Sequence, residues 1–370
     1  MTYFQKRIEN LLALADIDVN GTRPWDVTVH NPDLFRRLIA HGSLGLGESY
    51  MDGWWDCVQI DQMVCRLFSA GIDRRVKTPA MLLAVLRARL MNRQSAGRAF
   101  EVGRRHYDIG HDLYVSMLDS RMLYSCGYWK GAATLDEAQE NKLDLICRKL
   151  RLEQGLTLLD IGCGWGGLAR HAAERYGVSV VGITVSEDQA LFAREQCAGL
   201  PVQIRLEDYR SLRGAFDRIV SVGMFEHVGY RNYRTFMAVV DRCLNRHGLF
   251  LLQTIGGNTS TTTTDSWVER YIFPNGMLPS AVQITAAIQG LFALEDWQSF
   301  GSDYDRTLMA WWRRFEDSWP ALAGRYGERF HRMWRFYLLS CAGAFRAKSN
   351  HLWQIVLSRT GSEGCFKPER

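Results

Sequence analysis

The run Leu156–Gly177, LTLLDIGCGWGGLARHAAERYG, limits the possible folds more than any other stretch of the 370 residues. An apolar, β-prone segment leads into Asp160, a glycine loop follows (Gly162, Gly164, Gly166, Gly167), and a helical pattern begins behind it. A strand, a tight turn and a helix N-terminus make a nucleotide-sized pocket, because glycine lets backbone approach a ligand closely. Gly162, Gly164 and Gly167 satisfy the GxGxxG spacing of dinucleotide sites, so the loop alone leaves two classes of nucleotide-like ligand open. A nicotinamide site wants a carboxylate about 20 residues on, at the end of the second strand, to hold the ribose. Here that strand, in VSVVGITVSEDQ, ends at Gly182, Ile183 and Thr184 without an acid, and the carboxylate stands before the loop at Asp160.

The segments around the loop predict the architecture. A helical lead-in from about Arg105 passes through Tyr124–Cys126 to a helix around Glu137–Leu150. Strands are predicted at Leu156–Ile161, Ser179–Thr184, Val202–Leu206, Asp217–Val222 and Leu249–Thr254, alternating with helices. That alternation implies a parallel sheet with helices on both faces. Two more strand candidates, Ala293–Phe300 and Trp353–Ser358, flank helices from about Arg306 to Arg346, and an insertion rich in threonine and then aromatics fills Gly257–Gly290. The expected fold is α/β: a Rossmann-like seven-stranded sheet with a smaller, mainly helical N-terminal domain. Residues 1–92 are read as that domain, 93–104 as a basic linker and 105–370 as the catalytic domain.

Composition narrows the class. A hydrophobic content of 47% supports a packed core. No run of about 18 apolar residues is present to span a bilayer, and the N-terminus lacks the long apolar region of a signal peptide. Nine scattered cysteines without a CxxC pair fit reduced thiols in a cytoplasmic protein, with no metal site expected. The net charge of +5 is unevenly placed: nine basic residues against Glu101 give Arg74–Arg105 a charge of +8, so the remainder is −3. Within that stretch Leu82, Leu83, Leu86 and Leu90 fall at helical spacing. A basic amphipathic helix suits an anionic membrane surface, while a solvated helix packed on its own domain fits the same pattern. No nucleic-acid module accompanies the charge, so no nucleic-acid partner is expected.

Asp160 and its glycine loop resemble the first motif of class I S-adenosylmethionine (SAM) methyltransferases. The chain also carries RHYDIGHDLYVSMLDSRMLYSCGYW (Arg105–Trp129), GITVSEDQ, LEDYRSL, FDRIVSVGMFEHVG, GLFLLQTIG and YIFPNGMLPS in that order from the N-terminal side. Together, from about Arg105 to Arg359, these segments resemble the cyclopropane fatty acid synthases, which include the mycolic-acid-modifying methyltransferases.

The resemblance implies methylation of a cis double bond in a phospholipid acyl chain, followed by closure of a three-membered ring. For the cofactor, it places Gly162 and Gly164 near the methionine and ribose of SAM, Tyr124 and Ser125 near the methionine tail, Thr184 and Gln189 beside the ribose, and Asp208 near the adenine. Asp160 is equally suited to capping the turn through backbone N–H groups. An alkene is a weak nucleophile, so the donor must be strongly electrophilic. The resulting carbocation needs aromatic shielding and a nearby proton acceptor, which in the family is bicarbonate. Positions matching the bicarbonate cradle are Cys126, Glu226, the Ile255 N–H and Tyr304, with Glu226 orienting the bicarbonate hydroxyl. One departure stands out: Gln253 replaces the histidine of HTIG, so a charged donor is lost, and a methyl- or methylene-branched product becomes an alternative to the ring. His227 is read as a neighbour of the site and Cys341 as structural. The aromatics Tyr271, Phe273, Trp311, Trp312, Phe315, Trp319, Trp334, Phe336 and Tyr337 are read as core or as the region of an acyl tunnel. The expected partners are unsaturated phospholipids, met at the inner membrane surface by a peripheral, homodimeric enzyme.

Overall fold

The computed structural model describes residues 3–75, 110–361 and 366–370. The linker read at 93–104 and the leucine-bearing basic helix lie outside the described residues.

The main sheet has seven strands: β3 (Thr157–Ile161), β4 (Ser179–Thr184), β5 (Val202–Leu206), β6 (Phe216–Val222), β7 (Leu244–Gly257), β8 (Phe292–Ser299) and β9 (Asn350–Arg359). β1 (Thr28–Val29) and β2 (Trp55–Asp56) form a separate two-stranded pair. The order across the large sheet is β5-β4-β3-β6-β7-β9-β8. Neighbours from β5 to β7 run parallel, and β8 pairs antiparallel with β9.

The strands read as near-continuous apolar runs because both sheet faces are covered. Successive side chains alternate between faces. Leu159, Ile161, Phe250 and Leu252 join one core with Phe225, Phe236 and Trp353. Leu158, Leu249 and Leu251 join the other with Leu143, Ile146 and Ala169. All seven strands expected from the sequence are present, with small shifts at the ends. β7 is longer than predicted: its start, Leu244, pairs with Phe216, across the polar stretch Asn245–His247 that periodicity does not flag, and its last residue, Gly257, bridges to Ser280.

The chain does not divide at a single cut. One compact unit comprises Met1–Met91, Thr262–Pro274 and Tyr304–Asn350, and the other Asn92–Thr261, Asn275–Asp303 and His351–Arg370. This corrects the reading of 105–370 as one continuous domain. The reason lies in the long C-terminal helices, Gly301–Tyr326 and Glu328–Arg346, most of whose residues complete the N-terminal unit. Gly343 lets the second helix lie against Ile60–Ser69, since a Cβ there would stand 2.4 Å from the Asp61 carbonyl oxygen. Arg346 then bridges Asp61 (2.6 Å) and Asp305 (2.9 Å). Phe336 meets Trp267 at 4.8 Å and Tyr50 at 5.5 Å. Trp311, Phe315, Trp334, Phe336 and Tyr337 are all buried and pack within this unit.

Candidate active site

In a parallel sheet, ligands bind beyond the carboxyl ends of the strands, where the strand order reverses. That point is β3, flanked by β4 on one side and β6 on the other. The loop after β3 is pinned to β4: the N–H groups of Gly162 and Cys163 both donate to the Ile183 carbonyl (3.0 and 2.9 Å). Gly164 has φ +54°, and a Cβ there would meet nothing of the protein within 4 Å. A larger side chain at Gly164 would therefore strain the turn and project into open space beside the loop. Gly167 serves close packing instead, since its Cβ would stand 2.6 Å from the Arg121 carbonyl oxygen. The first turn of the helix Gly167–Tyr176 thus seats the loop that carries Tyr124 and Ser125.

Asp160 is buried, and its Oδ2 has no hydrogen-bond partner among the described residues. Burial pushes its carboxyl up to about 7. The turn-capping role open to it in the sequence is therefore not taken up by Oδ2, which fits a donor supplied by a ligand. Thr184, at the end of β4, donates its hydroxyl to Gln189 Oε1 (2.8 Å) and accepts the Ser186 N–H (3.2 Å). Its hydroxyl thus ties together the two positions expected beside the ribose. Gln189, buried at the start of the helix Glu187–Gln196, has its carbonyl engaged by Thr184, which leaves its amide N–H groups as the donors. Asp208 follows β5. Its Oδ1 accepts the Arg210 N–H (2.9 Å) and its Oδ2 the Arg210 guanidinium (2.8 Å).

Tyr124 packs edge-on against Tyr114 at 5.2 Å, and Tyr114 in turn meets Trp165 of the glycine loop at 5.0 Å. Ser125 is held by the helix Leu135–Lys149, which a capping box at Thr134 and Glu137 initiates. Gln139 Nε2 donates to the Ser125 carbonyl (2.8 Å), and Lys142 Nζ to the Ser125 hydroxyl (2.9 Å). Sequence reasoning missed both residues. The signal was there: two polar side chains one turn apart on a face otherwise lined by Leu135, Ala138, Leu143 and Ile146.

Glu226 lies on the turn Phe225–His227 after β6. Phe225 anchors that turn by stacking on Tyr233 at 4.2 Å. The buried Glu226 Oε1 accepts the Ile255 N–H at 2.7 Å, and Oε2 has no hydrogen-bond partner among the described residues. Burial pushes the Glu226 carboxyl up to about 7 against the pull of the Ile255 N–H. The structure therefore brings Glu226 and Ile255 together but gives the Ile255 N–H a partner other than the expected anion. Gln253, two residues earlier on β7, is buried and accepts from Gln354 Nε2 of β9 (2.9 Å). Gln354 was also missed, although it is a polar residue inside the apolar strand run LWQIVL. Burial lowers His227 to about 4, so it is neutral at physiological pH. Cys126 is fully buried. In the loop Tyr124–Trp129, the Trp129 N–H donates to Asp303 (2.8 Å). Tyr304, the next residue, belongs to the other compact unit, where its ring lies 4.6 Å from Phe345 and 6.0 Å from Trp311.

A seven-stranded sheet reversing at β3, a glycine loop at that point and an acid before the loop define a class I SAM-dependent methyltransferase. Coclaurine N-methyltransferase has the same fold, with a TM-score of 0.71 at 23% identity over 85% of this chain and 99% of that one. The profile of the mycolic acid cyclopropane synthetase family matches residues 94–355, and the chain belongs to that family. It is 53% identical over 360 residues to the cyclopropane-fatty-acyl-phospholipid synthase of Escherichia coli K12, covering 97% of this chain and 94% of that protein. The tuberculostearic acid methyltransferase UfaA1 of Mycobacterium tuberculosis is 33% identical, over 90% of this chain and 83% of that one. Among solved structures, the cyclopropane synthase MmaA2 of M. tuberculosis matches with a TM-score of 0.66 at 32% identity, covering 70% of this chain and 98% of its own. The mycolic acid cyclopropane synthase CmaA1, solved with S-adenosylhomocysteine (SAH) and CTAB, matches to the same extent.

The glycine loop gives a direct test of cofactor binding. Gly164→Val combines backbone strain with a side chain thrown into the open space beside the loop, so SAH affinity should fall by about 10-fold or more. Calorimetry with SAH checks this. Retained affinity would remove the loop from the cofactor site.

Proposed function

We propose that this enzyme transfers the SAM methyl carbon to a cis double bond in an unsaturated phospholipid acyl chain and closes it to a cyclopropane ring. Glu226 carries the reading: a buried carboxylate with one oxygen fixed by backbone and the other unengaged, in a chain matching the E. coli synthase almost end to end. In the reaction the alkene takes the methyl from the sulfonium, SAH departs, and a carbocation remains. Loss of a proton from the transferred methyl supplies the electron pair that closes the ring. Bicarbonate, when bound, would supply the base for that proton. Glu226 Oε2 suits a bicarbonate hydroxyl, which can donate to it. The Ile255 N–H holds Glu226 in place rather than meeting the anion. Gln253, oriented through Gln354, can offer only neutral N–H groups, so a methyl- or methylene-branched product is the second reading.

Mass spectrometry of lipids from cells expressing the protein should show a gain of about 14 mass units on monounsaturated chains, the mass of one methylene. Proton NMR of the purified lipid should show ring protons. Branched-chain signals would establish the second reading, and unmodified lipid with SAM consumed would overturn both.

For the approach to lipid, we propose peripheral docking through the basic stretch Arg74–Arg105. Support comes from its charge and leucine spacing, and among the described residues no helix is long and apolar enough to cross a membrane. Binding to anionic vesicles should weaken with salt as charge is screened, and reversing Arg87, Arg89 and Arg93 to Glu should weaken it with SAH affinity unchanged. Salt-independent binding, equal on neutral vesicles, would make the stretch an ordinary solvated helix.

A further inference from the structure

Lys142 has the charge of a ligand-binding residue and none of the usual protein partners. It is 1% exposed, and its ammonium donates to the Ser125 hydroxyl at 2.9 Å. Among the described residues no carboxylate forms an ion pair with it. Asp119 is the carboxylate whose charge acts on it, but both Asp119 oxygens are occupied, Oδ1 by the Leu123 N–H (2.8 Å) and Oδ2 by the Arg121 N–H (3.0 Å). A buried ammonium without a contact counter-charge is costly to keep. An ammonium can only donate, so the Ser125 oxygen must accept and the hydroxyl's single hydrogen is left to donate elsewhere. The Gln139 amide fixes the Ser125 backbone from the same helix face, so the direction of that hydroxyl is set from two sides.

We infer that Lys142 is a positioning residue for the donor substrate: it orients the Ser125 hydroxyl toward the carboxylate of the SAM methionine moiety and supplies the positive charge behind it. This rests on the reading of Tyr124 and Ser125 as the methionine-tail contact. It goes beyond that reading by assigning the charge complementarity to a side chain that need not touch the ligand.

The test uses the full chain and two ligands, SAH and 5′-methylthioadenosine, which keeps the adenosine and sulfur but lacks the amino-acid part. Lys142→Met should weaken SAH binding about 10-fold and leave 5′-methylthioadenosine binding unchanged. Ser125→Ala should show the same selective loss, and the double variant should lose little more than either single one, because both act through one contact. Lys142→Gln keeps an N–H donor without the charge and should lose less than Lys142→Met. It also serves where Lys142→Met does not fold, since 5′-methylthioadenosine binding reports an intact site in each variant. Equal loss for both ligands would mean a structural lysine and overturn the inference. A selective loss in Ser125→Ala with both Lys142 variants at wild-type affinity would overturn it alone. Wild-type SAH affinity in Ser125→Ala would instead remove the underlying methionine-tail reading.

Discussion

Glu226→Gln is expected to lower turnover by about 10²–10³-fold while leaving SAH affinity within about twofold. General-base contributions lie in roughly the 10²–10⁴ range, and an orienting carboxylate should carry a good part of it. The amide keeps an oxygen to accept the Ile255 N–H, so the backbone stays in place and only the acceptor at Oε2 is lost. The pH dependence separates this from a folding defect. The folded-state carboxyl is pushed up to about 7 from an ordinary value of 4.5. Between those two values the folded state holds the proton more tightly than the unfolded state. Stability from this group is thus fully present below 4.5, falls as pH rises through 7, and is flat above. At pH 8 Glu226→Gln should therefore melt higher than the wild type, by the equivalent of about 1–2 kcal/mol after the new amide N–H groups are left without a partner. Its turnover should also lack the acid limb expected of the wild type near pH 7. Removing bicarbonate should slow the wild type and leave the variant little changed. Wild-type turnover in Glu226→Gln, with no response to bicarbonate, would move the proton acceptor elsewhere, with the neutral His227 as the next group to test.

Gly256→Ala should damage the same site through packing. A Cβ at Gly256 would lie 1.9 Å from the Trp353 ring, far inside contact distance. Trp353 cannot easily retreat: it meets Trp297 at 5.2 Å and stacks on His351 at 5.8 Å. Overpacking a close-packed interior typically costs about 1–3 kcal/mol, and this site should fall at or above the upper end. Because Gly256 follows Ile255, relief by backbone movement would pull the Ile255 N–H away from Glu226. Thermal melts should show a destabilisation of about 3 kcal/mol, and whatever folds should turn over at least 10-fold more slowly. A variant with wild-type melting and kinetics would show that β7 and Trp353 move apart freely.

The sheet was legible from the sequence because its strands are buried on both faces, and unbroken apolar runs such as TLLDI and VSVVGIT carry little else. The reversal at β3 could be anticipated because a glycine loop and a preceding acid mark one place only. What the sequence could not show was pairing at a distance. Ile255 and Glu226 are 29 positions apart, and only the fold shows that one holds the other. Thr184 and Gln189 were both legible as candidates, but that one donates its hydroxyl to the other is seen only in the structure. Lys142 and Gln354 were overlooked because a lone polar residue in an apolar pattern looks like noise until its partner is known.

The discontinuous makeup of the N-terminal unit bears on how the molecule is made. The backbone passes between the two units at five places, the last between Asn350 and His351. Met1–Met91 leaves the ribosome long before the helix Glu328–Arg346 that completes its core, with roughly 240 residues in between. At about 5–20 residues per second, that interval is on the order of 12–50 s. Throughout it Tyr50 and Trp55 lack Phe336, their later partner, so the nascent segment carries aromatic surface that is covered only when the last helix arrives. The same connectivity means that neither unit can be cut out as one continuous fragment: a chain beginning at 105 would carry the helices of the other unit with nothing to cover them.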